Sequence, residues 1–191
     1  LKSQYHPHFL FNALNTVYFQ IDESNKAPRR TLEMISELLR YQLYGGNQKV
    51  SILQEIDYLK TYIALRKLRM SERLRLRVEF PPELNELNIY PLLFLPLVEN
   101  AFKYVGGDYQ LDIIMKWENN RISLFIRNSI PELSAEDEAL RKSVDERQRK
   151  GIGLVNLRRR LSLLYPNKHR LETRKEETEF VAELMIEIEE I

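Results

Sequence analysis

The 191-residue chain contains no cysteine. Disulfides, thiolate zinc sites and cysteine nucleophiles are thereby excluded, and the absence fits a cytoplasmic domain. An excess of one charge is also missing. With 29 basic and 28 acidic residues the net charge is +1, which leaves no electrostatic footprint for nucleic acid or an acidic membrane. No apolar run reaches the ~18 residues that would suggest a membrane span. Pro91 to Val98 is strongly apolar but much too short. No signal peptide is visible. The chain opens on Leu1 rather than Met, so it reads as an excised fragment. Membrane spans or a further domain would lie upstream, and the fragment itself would make no direct membrane contact.

What is present supports a folded chain. Hydrophobic residues make up 43%, enough for an ordinary core. The length suits one large domain or two small ones.

The first 70 or so residues have helical periodicity. Leu10, Leu14, Val17 and Ile21 alternate steps of four and three, the seam spacing of paired helices. Pro7 fits the first turn of that helix, where its missing donor costs little. Asn25 to Arg30 reads as a connection. A second helix is predicted over Thr31 to Tyr44, with Leu32, Ile35, Leu39 and Leu43 on one face, stopped by Gly45-Gly46-Asn47. Ser51 is placed to cap a third helix that carries Ile52, Ile56, Leu59 and Ile63 and runs to about Met70.

Beyond residue 71 the pattern changes. Leu74, Leu76, Val78 and Phe80 alternate as a strand does, and Pro81-Pro82 ends the run. Pro91 to Val105 reads as an apolar helix, with Pro96 demanding a break or a late start. Leu111 to Trp117 and Ile122 to Ile126 alternate around Asn119-Asn120, the pattern of a hairpin. Residues 134–150 are dense in charge. Leu154, Leu157, Leu161 and Leu164 mark another helix. Arg170 to Lys175 and Phe180 to Ile188 form a closing hairpin. The expected architecture is α+β: a helical segment over residues 1–70, then a sandwich over 71–191 with helices on one face of a mixed sheet.

Three segments carry chemistry. His8 sits in Pro7-His8-Phe9-Leu10-Phe11-Asn12. A neutral imidazole is a competent nucleophile near pH 7. Asn12, one turn on, is placed to orient the ring. A lone histidine at a helix start is more often only a local hydrogen-bonding group, and His6 is a rival nucleophile. Glu99-Asn100-Ala101-Phe102-Lys103 offers an amide for a hydrated Mg²⁺, a cation for phosphate oxygens, and a carboxylate to position the metal or polarise the histidine. Taken alone it is an ordinary amphipathic helix end. Gly151-Ile152-Gly153-Leu154-Val155-Asn156 precedes a leucine-rich helix, where backbone can approach a polyphosphate closely. A lone Gly-x-Gly is equally a plain loop-to-helix junction. Arg160 suits either a phosphate contact or a solvated face.

In combination the segments resemble the LytS-type sensor histidine kinases. Pro7 to Asn12 matches their Pro-His-Phe-Leu-Phe-Asn signature, Leu97 to Ala101 their asparagine-bearing helix, and Gly151 to Leu161 their glycine-rich segment. The resemblance covers nearly the whole chain. It implies a dimerisation and phosphoacceptor segment joined to a Bergerat-type ATP-binding domain. His8 would be the phosphoacceptor, with Glu99 and Asn12 in the catalytic set. Asn100 would hold Mg²⁺ through the nucleotide. Lys103, Gly151, Gly153, Asn156 and Arg160 would line the phosphates, and residues 131–150 would form a lid. The partners implied are a second copy in a homodimer and the aspartate of a response-regulator receiver domain. The location implied is the cytoplasmic side of a bacterial inner-membrane receptor.

This chain departs from the family pattern at several positions. His6 stands where Asn is usual, Leu95 where Gln is common and Tyr104 where His is common. The Asp-x-Gly segment that reads adenine is replaced by Asn128-Ser129-Ile130. An amide oxygen can still accept from the adenine amino group, but the charge assistance is lost. Pro96 stands one turn before Asn100, where ATP-hydrolysing Bergerat enzymes carry a glutamate, which argues against a simple ATPase. Two alternatives stay open: a catalytically impaired or non-catalytic signalling module of the same fold, and a structural dimerisation domain whose glycines are only turns.

Overall fold

A computed structural model describes residues 7–44, 48–82, 84, 87–132 and 152–188. Two helices, α1 (Pro7–Gln20) and α2 (Lys26–Tyr44), lead into a short strand β1 (Val50–Ser51) and helix α3 (Ile52–Lys67). Then come β2 (Arg75–Glu79), β3 (Asn88–Ile89), α4 (Leu95–Tyr104), β4 (Gln110–Glu118) and β5 (Arg121–Ser129). Helix α5 (Ile152–Leu164), β6 (His169–Lys175) and β7 (Glu179–Glu187) close the chain.

The main sheet has five strands in the order β2-β4-β5-β7-β6. β2 runs parallel to β4, and all other pairs are antiparallel. A mixed sheet follows directly from connectivity. β4, β5, β6 and β7 are joined or paired as hairpins, while β2 reaches β4 through the crossover helix α4. Asn119 and Asn120 take positive φ angles of 51° and 59° in the β4–β5 turn, the geometry a two-residue hairpin loop requires.

The period-two residues behave as expected. Leu111, Ile113, Met115, Ile122, Leu124 and Ile126 are buried, and face the layer formed by α3, α4 and α5. Ile52, Ile56, Leu59 and Ile63 all enter that same core. Each such side chain contributes roughly 1.5–3 kcal/mol of transfer free energy. The third helix of the predicted helical segment therefore shares its core with the sheet. Ser51 caps α3 in a full capping box with Gln54, as Ser at that position favours.

Several boundaries differ from the sequence expectation. α2 starts at Lys26, so Asn25 to Arg30 is mostly helix. Pro28 lies in the first turn, where no intrahelical donor is needed. Its most buried residue is Leu38 rather than any member of the predicted face, because Leu38 packs against Tyr58 of α3 and Leu95 of α4. α3 stops at Lys67, and the apolar helix after Pro91 begins only at Leu95, with Pro96 in its first turn. The β1–β3 pair joins Val50 to Ile89 and Ser51 to Asn88. Two-residue strands leave no periodicity to read.

Candidate functional site

His8 stands on the first turn of α1, exposed, with Asn12 Nδ2 3.1 Å from its Nδ1. The i, i+4 spacing of the helix makes that approach. Leu10 and Phe11 are half-buried, and the Phe11 ring stacks on Tyr44 of α2 at 6.2 Å with Arg40 above it at 5.8 Å. Phe9, between them and His8, is 69% exposed and anchors nothing. Thus α1 is held by one side only. His6 lies outside the described residues.

α4 places Leu95, Leu97, Val98, Ala101 and Phe102 in the core and turns Glu99, Asn100 and Lys103 outward. The Asn100 amide makes no hydrogen bond among the described residues. Glu99 is exposed by area yet hemmed in by α3. Desolvation pushes its carboxyl above the usual range, and the Arg66 guanidinium opposes that shift. The guanidinium also lies over the Phe102 ring at 5.6 Å. Lys103 Nζ sits 5.1 Å above the Tyr104 ring.

Asn128 continues the inward row of β5 and is 1% exposed. Its Nδ2 donates to Ser129 O at 3.2 Å, but its Oδ1 is buried with no partner among the described residues. A buried, unpaired acceptor costs about 1–3 kcal/mol. The loop after α4 closes on the same strand end. Gly106 N donates to Ser129 O at 3.0 Å, and Ser129 Oγ donates to Gly106 O at 2.7 Å. A Cβ on Gly106 would stand 2.9 Å from the Pro131 ring, so glycine is required for this closure. α4, which carries Asn100, packs against β5, which carries Asn128.

Gly153 lies in the first turn of α5, and a Cβ there would meet nothing within 4 Å. Internal packing therefore does not demand glycine at 153; close approach of a ligand would. Asn156 is exposed one turn on, and Arg160 is half-buried near Tyr165; burial pushes the Tyr165 hydroxyl up, and the Arg160 charge opposes that shift only weakly. Gly151 and residues 133–150 of the expected lid, 131–150, lie outside the described residues. Among the described residues no group of three or more His, Cys, Asp or Glu could hold a metal ion, and no helix is long and apolar enough to cross a membrane.

One buried residue was missed by sequence reasoning. Glu55 of α3 is fully buried. Its Oε2 accepts from Tyr41 Oη at 2.6 Å and from the Leu92 amide at 2.9 Å. A signal was available: positions 52, 55, 56, 59 and 63 share one helical face, so an acid at 55 had to be buried.

The histidine kinase family model matches residues 1–74, the part that contains His8. Sensor protein kinase HptS of Staphylococcus aureus (strain USA300) is 28% identical over 176 residues, covering 90% of this chain and 34% of HptS. The chain spans about a third of the length of the curated relatives it matches. Among solved structures, the Acinetobacter baumannii histidine kinase AdeS is 13% identical with a TM-score of 0.47, covering 96% of each chain. Full-length ShkA in complex with AMPPNP is 13% identical with a TM-score of 0.49, covering 95% of this chain and 44% of its own. At those scores residue roles do not transfer.

Proposed function

We propose that this chain is the core of a LytS-type sensor histidine kinase. It binds Mg-ATP at the boundary of β5, α4 and α5 and transfers the γ-phosphoryl group to His8. One imidazole nitrogen bonds to the γ-phosphorus as the bond from that phosphorus to the bridging oxygen breaks, and ADP leaves. The phosphohistidine then donates to an aspartate of a response-regulator receiver domain. Residues 1–70 carry dimerisation and the phosphoacceptor, and residues 71–191 carry the nucleotide, with α3 packed in the shared core.

The observation that carries this reading is the orphaned Asn128 Oδ1. A buried acceptor left unpaired among the described residues suits a donor brought by a ligand, such as the exocyclic amino group of adenine. The unneeded glycine at 153 and the Asn100 amide, which has no hydrogen bond among the described residues, fit phosphates and a nucleotide-borne cation. Bound Mg²⁺ would neutralise phosphate charge as it develops. Asn100 is placed to hold it, with Glu99 beside it, Lys103 and Asn156 on phosphate oxygens, and Arg160 further along α5.

Homodimer formation is supported by apolar surface left on the hairpin: Val17 and Phe19 of α1 and Leu43 and Tyr44 of α2 are exposed. In the whole protein this core would lie on the cytoplasmic side of a bacterial inner membrane.

The neutral amide at 128 favours one second reading, a relay module of the same fold that binds nucleotide weakly and transfers no phosphate. Titration calorimetry with Mg-ATP, then phosphopeptide mapping of wild type against His8→Gln, separates them. Label on His8 that disappears in His8→Gln is expected; bound nucleotide without label on any histidine would leave the relay.

A further inference from the structure

α4 lacks a cap of its own. Its N-cap residue is Phe94, which has no polar side chain and makes no capping bond. The preceding Leu92 sits at φ 58°, a left-handed conformation that a branched residue holds only when its surroundings impose it. Glu55 answers both features from a different helix. Its Oε2 receives the Leu92 amide at 2.9 Å, and the amides of Leu93 and Phe94 also favour its charged form. The same oxygen receives the Tyr41 hydroxyl of α2 at 2.6 Å. The Tyr41 ring in turn stacks on Tyr58 of α3 at 4.6 Å. Leu38, Tyr58 and Leu95 make a small apolar cluster beside this joint, separate from the main core.

We propose that Glu55 is a positioning residue for the asparagine-bearing helix: one carboxyl oxygen holds the Leu92 turn that leads into α4 and fastens it to Tyr41 of the hairpin that carries His8. The orientation of α2 and the placement of Asn100 are then set together. As a step in phosphoryl transfer this rests on the kinase reading; as a mechanical link between α2 and α4 it does not.

The test uses Tyr41→Phe, Glu55→Gln and Glu55→Leu in the same chain. Tyr41→Phe removes only a hydroxyl on α2 and keeps the stack on Tyr58. Hydrogen exchange, resolved by peptide, should accelerate about fivefold in residues 92–98 of Tyr41→Phe, the size of one lost hydrogen bond. Tyr18→Phe, which loses a hairpin bond to Glu33, should leave 92–98 unchanged. Glu55→Leu should raise the dissociation constant for Mg-ATP about tenfold, because it leaves the Tyr41 hydroxyl and the Leu92 amide buried without an acceptor. Glu55→Gln, which keeps an acceptor oxygen, should recover most of that loss. The rate of His8 labelling at saturating ATP should fall in Tyr41→Phe while its ATP affinity holds. Exchange that accelerates only within α2, or equally across all segments, overturns the proposal. So does an ATP affinity that follows melting temperature rather than the presence of the acceptor. If wild type neither binds Mg-ATP nor labels His8, the kinase reading fails, and the exchange comparison still decides the link.

Discussion

Asn12 Nδ2 lies 3.1 Å from His8 Nδ1, one turn along α1. With the amide nitrogen in that place, Nδ1 accepts, its lone pair is taken up by that bond, and the ring proton sits on Nε2. Rotating the amide by half a turn puts Oδ1 there instead, moves the proton to Nδ1 and frees Nε2 as the nucleophile. The contact therefore decides whether a ring nitrogen is free to attack.

Asn12→Asp can only accept, so it fixes the second arrangement. It should retain His8 labelling, with all phosphate on Nε2 by phosphorus NMR. Asn12→Leu leaves the tautomer unselected and should slow labelling about tenfold, the low end of what loss of a histidine's orienting partner costs at metal sites, with nucleotide affinity unchanged. Equal rates in both variants would remove Asn12 from the catalytic set.

Asn128 supports a prediction of opposite signs. Asn128→Leu deletes a buried acceptor that has no partner, and Ser129 O keeps its bond from Gly106 N. Stability without ligand should hold or rise by about 1 kcal/mol in urea melts, while ATP affinity falls at least tenfold. Asn128→Asp should tighten ATP by restoring a charged acceptor. Weaker binding in Asn128→Asp would show that adenine is not read at this position.

Glu55 gives the chain a definite pH dependence. Burial pushes its carboxyl above 4.5, opposed by the Tyr41 hydroxyl and the Leu92, Phe94 and Leu93 amides. The folded state therefore holds this proton more tightly than the unfolded state. The contribution is complete below pH 4.5 and is lost as pH rises through the folded value. The stability difference between wild type and Glu55→Gln should favour wild type most in acid and shrink steadily toward neutral pH. A difference that grows with pH would mean that the carboxylate, not the acid, is the favoured buried form.

On the outer side of the sheet, Arg127 grips Asp112 Oδ2 across β4 and β5 with bonds of 3.0 and 2.6 Å. The Asp112 side chain is only 6% exposed, the Arg127 side chain 38%. Arg127→Leu strands a buried carboxylate and should lower stability by about 2 kcal/mol, less than the ~3–5 of a fully enclosed pair. The double change Asp112→Leu with Arg127→Leu should recover at least half. An Arg127→Leu chain with unchanged urea midpoint would place the pair among ordinary surface contacts.

Much of the architecture could be read directly. Ile52, Ile56, Leu59 and Ile63 repeat at helical spacing, and all four are buried. Asn119-Asn120 between alternating runs gave the hairpin, and Ser51 gave its helix start. Such features are legible because the reporting residues lie within one or two turns or pleats of each other. Leu38 was not, since its burial comes from Tyr58 and Leu95, which belong to two other helices. Nor was the two-residue β1–β3 pair, whose partners are separated by the whole of α3.

The candidate site divides along the same line. Sequence alone determined which groups are available: an imidazole with an amide four residues on, an outward Glu-Asn pair, an amide in place of a carboxylate at 128, and a glycine opening α5. Those are local facts, fixed by residue type and by helix or strand period. Only the tertiary structure decided that Asn128 Oδ1 is sealed without a partner, that a Cβ at 153 would meet open space, and that α4 starts on a carboxyl from α3 held by a tyrosine from α2. Burial and hydrogen-bond completion depend on every element that packs around a group, and no window of neighbouring residues contains that information.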